Sequence, residues 1–173
     1  KSFPTNSVIL LEGVTDHKNL LKHELTYNRM ATSLGLSEQK EEFTPARGHP
    51  RLADVDLEEF SKESIEILNL FTLLHSQGLK SGGLMELMQK SQNPFLTEQI
   101  WKDLLTLRNA HLLKEIQAEL PHSNMIVVPW GAGHMRGIAD EIQKSGFHIS
   151  ATQEYQVVNI PSVWNRRRHS NKK

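Results

Sequence analysis

Two short apolar runs, each followed by a glycine turn and a helix-forming stretch, constrain the fold of this chain most. The first run is Ser7–Leu11, with Glu12 and Gly13 directly after it. The second is Met125–Pro129, followed by the Gly131–Gly133 turn. Continuous apolar runs of this length are typical of strands that are buried in a sheet. The sequence therefore predicts an α/β fold, with a central sheet of few strands flanked by helices.

The segment between the two runs predicts a mainly helical middle section, which Gly and Pro divide. Helices are predicted at about His17–Leu34, from Ser61 up to Gly78, Leu84–Lys90, Thr97–Leu120 and Met135–Ser145, with a loop over Ser37–Pro50 and a last strand at Tyr155–Ile160. Residues 1–160 are thus expected to form one domain. Residues 161–173 form a basic tail, which more often is solvated than bound to phosphate.

Composition narrows the classes of function. The net charge is zero and 38% of the residues are hydrophobic, so no global field draws the protein to nucleic acid, and no specific nucleic-acid binding is expected. The chain has no cysteine, which removes disulfides and thiolate metal ligands. No apolar run approaches the roughly 18 residues of a membrane span. The predicted protein is soluble, and composition leaves its compartment open between the cytoplasm and an extracytoplasmic location after processing.

His134 lies at the exit of the second glycine turn, where we expect the C-terminal edge of the sheet. Open α/β sheets usually place their sites at this edge. An imidazole there can serve as a metal ligand or as a general acid or base, and a helix N-terminus disfavours its protonated form. Alternatively, His134 only caps the turn through its own hydrogen bonds.

Four further polar residues are candidates for a site. Glu12 lies at the end of the first strand. If both strands belong to one parallel sheet, Glu12 and His134 lie at the same edge and could bind a metal ion together. The simpler alternative is a solvated carboxylate at a strand end. Arg108 offers a planar fork to a carboxylate, of a substrate or of Glu12, but a helical arginine usually lies at the surface. Asp54 and Asp56 share a face if their segment is extended, and paired carboxylates can do acid–base work. Alternatively, because the pair follows a loop, the two carboxylates cap a turn or are solvated.

A competing interpretation is a dinucleotide site, because Gly131, Gly133 and Gly137 follow a strand, with Glu154 further along the chain. The spacing departs from the GxGxxG pattern, and the motif leaves no room for a second mononucleotide half. His134 also stands where the backbone would approach the pyrophosphate. This interpretation is therefore disfavoured.

Several short motifs resemble, in their order, those of TraB/PrgY/GumN-type proteins, which are related to the Tiki metalloproteases and more distantly to the erythromycin-esterase-like and ChaN folds. They are Leu10–Gly13, Ala53–Asp56, the Arg108–Asn109 pair, and Gly131–Ile138. The resemblance implies a metal-dependent hydrolase, with a peptide or small-molecule substrate. In that family two GxxH motifs and a glutamate surround the metal, which implies His134 and Glu12 as ligands for Mn, Co or Zn, and Glu12 and Arg108 as catalytic residues. Gly131, Gly133, Asn109, Asp54 and Asp56 are the remaining candidates.

One departure from the family pattern is large, because the first GxxH motif is absent and Gly131 is the only glycine with a histidine three positions later. The chain is then expected to be a fragment or a member that lost half of the site, with a partial family fold. An exposed sheet edge is expected, which a second copy of the chain would cover. The alternative function is a non-catalytic binding or regulatory protein, of the kind that acts in pheromone shutdown.

Overall fold

The computed structural model describes residues 4, 6–22, 48–77 and 83–154. Its sheet has three parallel strands, β1 (Ser7–Leu11), β2 (His49–Leu52) and β3 (Met125–Val127), in the order β2-β1-β3. In the register, Val8 of β1 lies opposite His49 of β2 and Ile126 of β3. The predicted α/β class is confirmed, and because the strands are parallel, all three end at the same edge of the sheet.

β2 corrects the sequence prediction, which gave a loop up to Pro50. The strand carries Pro50 and Arg51, and none of its residues is buried. A proline lacks an N–H for the ladder and is tolerated at the edge of a sheet. β2 pairs only with β1 among the described residues, so an edge strand without an apolar run was not recognised.

Helices flank the sheet. They are α1 (Lys62–Gln77), α2 (Gly83–Ser91), α3 (Pro94–Trp101), a π-helical segment (Lys102–Leu107), α4 (Arg108–Glu119) and α5 (Ala132–Lys144), with a 3-10 turn at Leu57–Glu59. The backbone stays helical from α3 through the π-helical segment into α4, so the predicted long helix is present. It begins earlier than predicted, because the Asn93 side chain, rather than Thr97, caps it by accepting a hydrogen bond from the Phe95 N–H.

Two other predicted helices differ from the structure. α5 begins at Ala132, so His134 lies within its first turn rather than before it. The predicted helix from His17 is wrong over the described residues 17–22, where Asn19 has a φ of 52° that interrupts a right-handed helix. The rest of that helix, the strand Tyr155–Ile160 and the tail 161–173 lie outside the described residues.

The main core joins one face of β1 to α4 and α5. Its buried residues come from the sheet, from the turn after β3 and from both helices: Val8, Leu10, Ala53, Leu112, Ile116, Trp130 and Ile138. A second buried group, Val55, Leu57 and Phe60, belongs to the segment that follows β2 and packs against Leu68 of α1 and Leu107 of the π-helical segment. This packing places the N-terminus of α4 and the first turn of α5 together at the carboxyl edge of the sheet.

The outer side of β3 has no partner strand among the described residues. A groove of about 350 Å³ lies beside it, and its apolar lining includes Leu120, Met125, Ile142 and Phe147. No helix in the described ranges is long and apolar enough to cross a membrane.

Two glycines with nearly equal φ angles give a test of this packing. Gly48 has a φ of 93°, and a Cβ there would lie 3.3 Å from the Ser7 carbonyl oxygen. Gly146 has a φ of 94° with nothing within 4 Å. Gly146→Ala should therefore lower the free energy of unfolding by about 1–2 kcal/mol through backbone strain alone, and Gly48→Ala by more. Urea denaturation measures both values, and equal losses would contradict the close approach of Gly48 to β1.

Candidate site at the carboxyl edge of the sheet

Each of the three strands delivers one polar side chain to a shared site. Glu12 follows β1 directly, Asp54 follows β2 after one buried alanine, and His134 follows β3 at the start of α5. Their convergence is the geometric consequence of parallel strands that end at one edge. Glu12 Oε1 lies 3.5 Å from His134 Nε2, as the sequence predicts for these two residues.

Arg108 lies at the centre of the site. Its Nε and Nη2 donate to the Asp54 carboxylate at 3.0 and 2.6 Å, and Nη2 also donates to Glu12 Oε1 at 2.8 Å. Nη1 lies 3.2 Å from His134 Nε2 and 3.4 Å from the Leu104 carbonyl oxygen. Every N–H direction of the guanidinium is thus used. The predicted contact with Glu12 is present, and the alternative of a surface arginine is wrong.

Asp54 is the buried anchor of the site. Besides Arg108, it accepts hydrogen bonds from the Gly13 N–H at 3.0 Å and the Val55 N–H at 2.9 Å. Burial by itself would raise the pKa of this carboxyl, but the hydrogen bonds from Arg108 and Gly13 outweigh burial and lower the pKa. Asp54 therefore stays charged and balances the positive charge of the buried Arg108. Burial by itself would lower the pKa of the Arg108 guanidinium, but the hydrogen bonds to Asp54 and Glu12 outweigh burial and raise it.

Glu12 connects the site to α5. Its Oε2 accepts a hydrogen bond from the Gly131 N–H at 2.5 Å, just ahead of the first turn of the helix. A carboxylate at a helix N-terminus is stabilised by the exposed N–H groups and by the helix dipole. A Cβ at Gly131 would lie 3.3 Å from Oε2, so a glycine permits this approach.

His134 is buried and neutral. Burial lowers its pKa first, and the positive charge of Arg108 lowers it further. The pKa of His134 is lowered, as the sequence predicts. The prediction attributed this shift to the helix N-terminus, whereas the causes in the structure are burial and the neighbouring guanidinium. Its other ring nitrogen, Nδ1, lies 2.7 Å from Asn109 Oδ1, so the predicted residue Asn109 also belongs to the site.

The sequence interpretation missed Trp130 as a member of the site. Its ring lies 5.3 Å from the Arg108 guanidinium carbon and meets the His134 ring edge to face at 5.2 Å. Its indole N–H donates to the Leu10 carbonyl oxygen at 3.1 Å. Cation–π contact with a desolvated arginine stabilises the charge on one side of the site. The signal that could have identified Trp130 was its place between β3 and the glycine turn.

Two predicted candidates do not contact the site. Asp56 caps the 3-10 turn through the Glu58 N–H and accepts hydrogen bonds from the Thr15 hydroxyl and the His17 N–H, so it does not work as a pair with Asp54. A Cβ at Gly133 would meet only the Leu105 side chain, at 3.9 Å. The extended segment after β2 thus directs one aspartate to the site and uses the other to organise a loop.

The residues present do not fit the metal ion that the family resemblance implies. Arg108 Nη1 lies against His134 Nε2, the nitrogen that would bind a metal, and Nη2 of the same side chain is bonded to Glu12. A divalent ion between these two ligands would have to displace a cation that Asp54 already holds. Among the described residues, no group of three or more His, Asp or Glu side chains is arranged to hold a metal ion.

Comparison with known proteins identifies no relative. The chain matches no protein-family model, no curated protein and no solved structure. The resemblance to TraB/PrgY/GumN-type proteins therefore rests on the motifs quoted above.

Replacing Arg108 should be far more damaging than replacing a partly exposed arginine in an ion pair. Arg108→Ala leaves the buried Asp54 carboxylate without its partner and should lower the free energy of unfolding by about 3–5 kcal/mol. Arg51 pairs with Glu115 and Glu119 at the surface, and Arg51→Ala should cost about 0–1 kcal/mol. Chemical denaturation measures both losses, and similar values would show that Arg108 is not an essential buried charge.

Stability should also depend on pH through His134, whose folded-state pKa lies below the ordinary value of 6.5. As the pH falls below about 6.5, the unfolded chain takes up a proton at this histidine while the folded chain does not. The free energy of unfolding should then fall by at most about 1.4 kcal/mol per pH unit until the folded-state pKa is reached.

Urea titrations from pH 7.5 to pH 5 measure this effect. His134→Gln should remove that part of the slope, whereas the control His148→Gln, at an exposed histidine, should retain it. A slope that survives in His134→Gln would assign the pH dependence to another group.

Proposed function

We propose that this chain is a binding or regulatory domain of the TraB/PrgY/GumN type. In this proposal the carboxyl edge of the sheet holds a positively charged, hydrogen-bond-donating group of a ligand, such as the α-ammonium group of a peptide. One observation carries the proposal: of the four charged or titratable side chains in the site, the most accessible is an acid. The Glu12 side chain is 29% exposed, against 10% for Arg108, 6% for His134 and 0% for Asp54.

The charge of the site supports this class of ligand. Two carboxylates, Glu12 and Asp54, face one guanidinium while His134 is neutral, so the site has one excess negative charge. Each Glu12 oxygen accepts one hydrogen bond from the protein, and a carboxylate oxygen has a second lone pair for a donor. A ligand ammonium group can therefore bind without displacing Arg108.

The bonding of Arg108 supports binding rather than catalysis. A guanidinium with all its N–H groups engaged cannot bind a substrate oxyanion unless it breaks an existing bond. His134 Nε2 faces the same guanidinium, which occupies the lone pair that a general base would use. What is left accessible is a fixed acceptor.

The test uses the tripeptide Ala-Ala-Ala as a probe, with a free or an acetylated N-terminus. In ¹H–¹⁵N correlation spectra, the free peptide should shift the amide signals of Gly13 and Gly131, and the acetylated peptide should not. Glu12→Gln should weaken binding about tenfold or more, since it removes the charge, whereas Glu98→Gln at an exposed helical glutamate should bind as the wild type does. Equal shifts with both peptides, or none, would contradict the proposal.

A second candidate function is hydrolysis, which the 3.5 Å approach of Glu12 to the neutral His134 favours. Here Glu12 would be the general base that takes a proton from water. The same proteins are incubated with the free peptide, with and without Mn²⁺, Co²⁺ or Zn²⁺, and products are measured by mass spectrometry. The binding proposal expects no cleavage. Cleavage by the wild type that is lost in both Glu12→Gln and His134→Ala would replace binding with hydrolysis.

The predicted contact between copies of the chain stays a prediction. We propose the outer side of β3 as its location, because the apolar groove there includes the half-exposed Leu120 and Phe147.

A further inference from the structure

Two consecutive residues contact the two ring nitrogens of His134. Arg108 Nη1 lies 3.2 Å from Nε2, and Asn109 Oδ1 lies 2.7 Å from Nδ1. A guanidinium has donors only, so Nε2 must be the acceptor in its contact. In a neutral imidazole the other nitrogen then carries the proton, and an amide oxygen is the partner that an N–H requires. The two contacts are thus complementary and select one tautomer.

The helix that carries this pair has an unusual backbone. Adjacent residues of a regular α-helix project about 100° apart, so two neighbours rarely contact one small ring. The π-helical segment Lys102–Leu107 ends directly before Arg108 and changes the phase of Arg108 and Asn109 together relative to α3, so the two side chains still project about 100° apart and reach opposite nitrogens of the ring. Short π-helical turns of this kind are rare and frequently occur at functional sites.

Gly137 provides the space in which the Asn109 amide lies. A Cβ at position 137 would be 2.9 Å from Asn109 Nδ2, closer than a Cβ approaches any atom to which it is not bonded. Gly137 follows His134 by three residues, so both lie on the same face of α5. Gly131 precedes His134 by the same interval and admits Glu12. The spacing GxxHxxG therefore has a packing reason, a glycine on either side of the imidazole.

We propose that Asn109 is a positioning residue that holds His134 as its Nδ1–H tautomer and directs the Nε2 lone pair towards the Arg108 guanidinium, and that Gly137 is the clearance this requires. This inference goes beyond the proposed function, because the tautomer is set whether the site binds a ligand or hydrolyses one. It makes Nδ1 the ring N–H and Nε2 the acceptor that faces the Arg108 guanidinium.

Long-range ¹H–¹⁵N spectra of the ¹⁵N-labelled protein at pH 7.5 test the tautomer directly, because protonated and unprotonated imidazole nitrogens resonate in well-separated ranges. In the wild type, Nδ1 of His134 should resonate as a protonated nitrogen and Nε2 as an unprotonated one. Assignment follows from the signals that disappear in His134→Gln. The reverse pattern, or averaged signals, in the wild type would overturn the proposal without any need for a further variant.

Variants separate positioning from general stability. Asn109→Leu removes the acceptor and should move both nitrogen signals towards averaged values, whereas Asn109→Asp keeps an oxygen acceptor and should restore the Nδ1–H pattern. Gly137→Ala should displace the amide and act in the same direction as Asn109→Leu. Its matched control is Gly133→Ala, where the new Cβ meets only Leu105 at 3.9 Å, and this variant should keep the wild-type pattern. An unchanged tautomer in folded Asn109→Leu would show that Arg108 alone sets it, and would overturn the role of Asn109.

Discussion

The burial of Arg108 is the interaction on which the rest of the site depends. Its guanidinium donates hydrogen bonds to Glu12, directly after β1, and to Asp54, two residues after β2, and it contacts a histidine in the first turn of α5. A charge taken out of water at this depth is tolerated only when its hydrogen bonds are complete and a counter-charge is adjacent. Asp54 supplies the counter-charge, and Trp130 covers one side of the guanidinium. The carboxyl edge of the sheet is therefore a preassembled and rigid polar cluster rather than an open cleft.

This cluster explains why one glycine precedes α5 and another lies within it. Close contacts between charged or amide groups and a helix need positions without a side chain, and Gly131 and Gly137 occupy the two positions where Glu12 and Asn109 approach. The same contacts leave the imidazole of His134 little freedom to rotate or to take up a proton. Rigidity at this edge agrees with a binding role, since a fixed acceptor loses little entropy when a ligand arrives.

Parts of the site could be predicted from local patterns. The apolar run before Glu12 and the one before the glycine turn predicted two strands, and parallel pairing then predicted that Glu12 and His134 meet. Asp54 and Arg108 were weaker candidates, because a carboxylate after a loop and an arginine on a helix are usually solvated. β2 was missed because an edge strand with Pro50 and Arg51 has no apolar pattern. The metal site implied by the family resemblance does not fit the described residues, since the predicted arginine occupies the place between the two predicted ligands.

The amino-acid sequence by itself determined the class of fold, the two principal strands and the edge of the sheet at which polar side chains collect. These properties follow from hydrophobic runs, glycine turns and the alternation of strand and helix, which are local in the chain. The tertiary structure alone decided which partners each polar group has. Arg108 is separated from Glu12 by 96 residues and from Asp54 by 54, and only folding brings their charges into contact. Whether a buried charge is neutralised by an internal arginine or is left to bind a metal ion depends on distances of a few ångströms across the core, which no local pattern encodes.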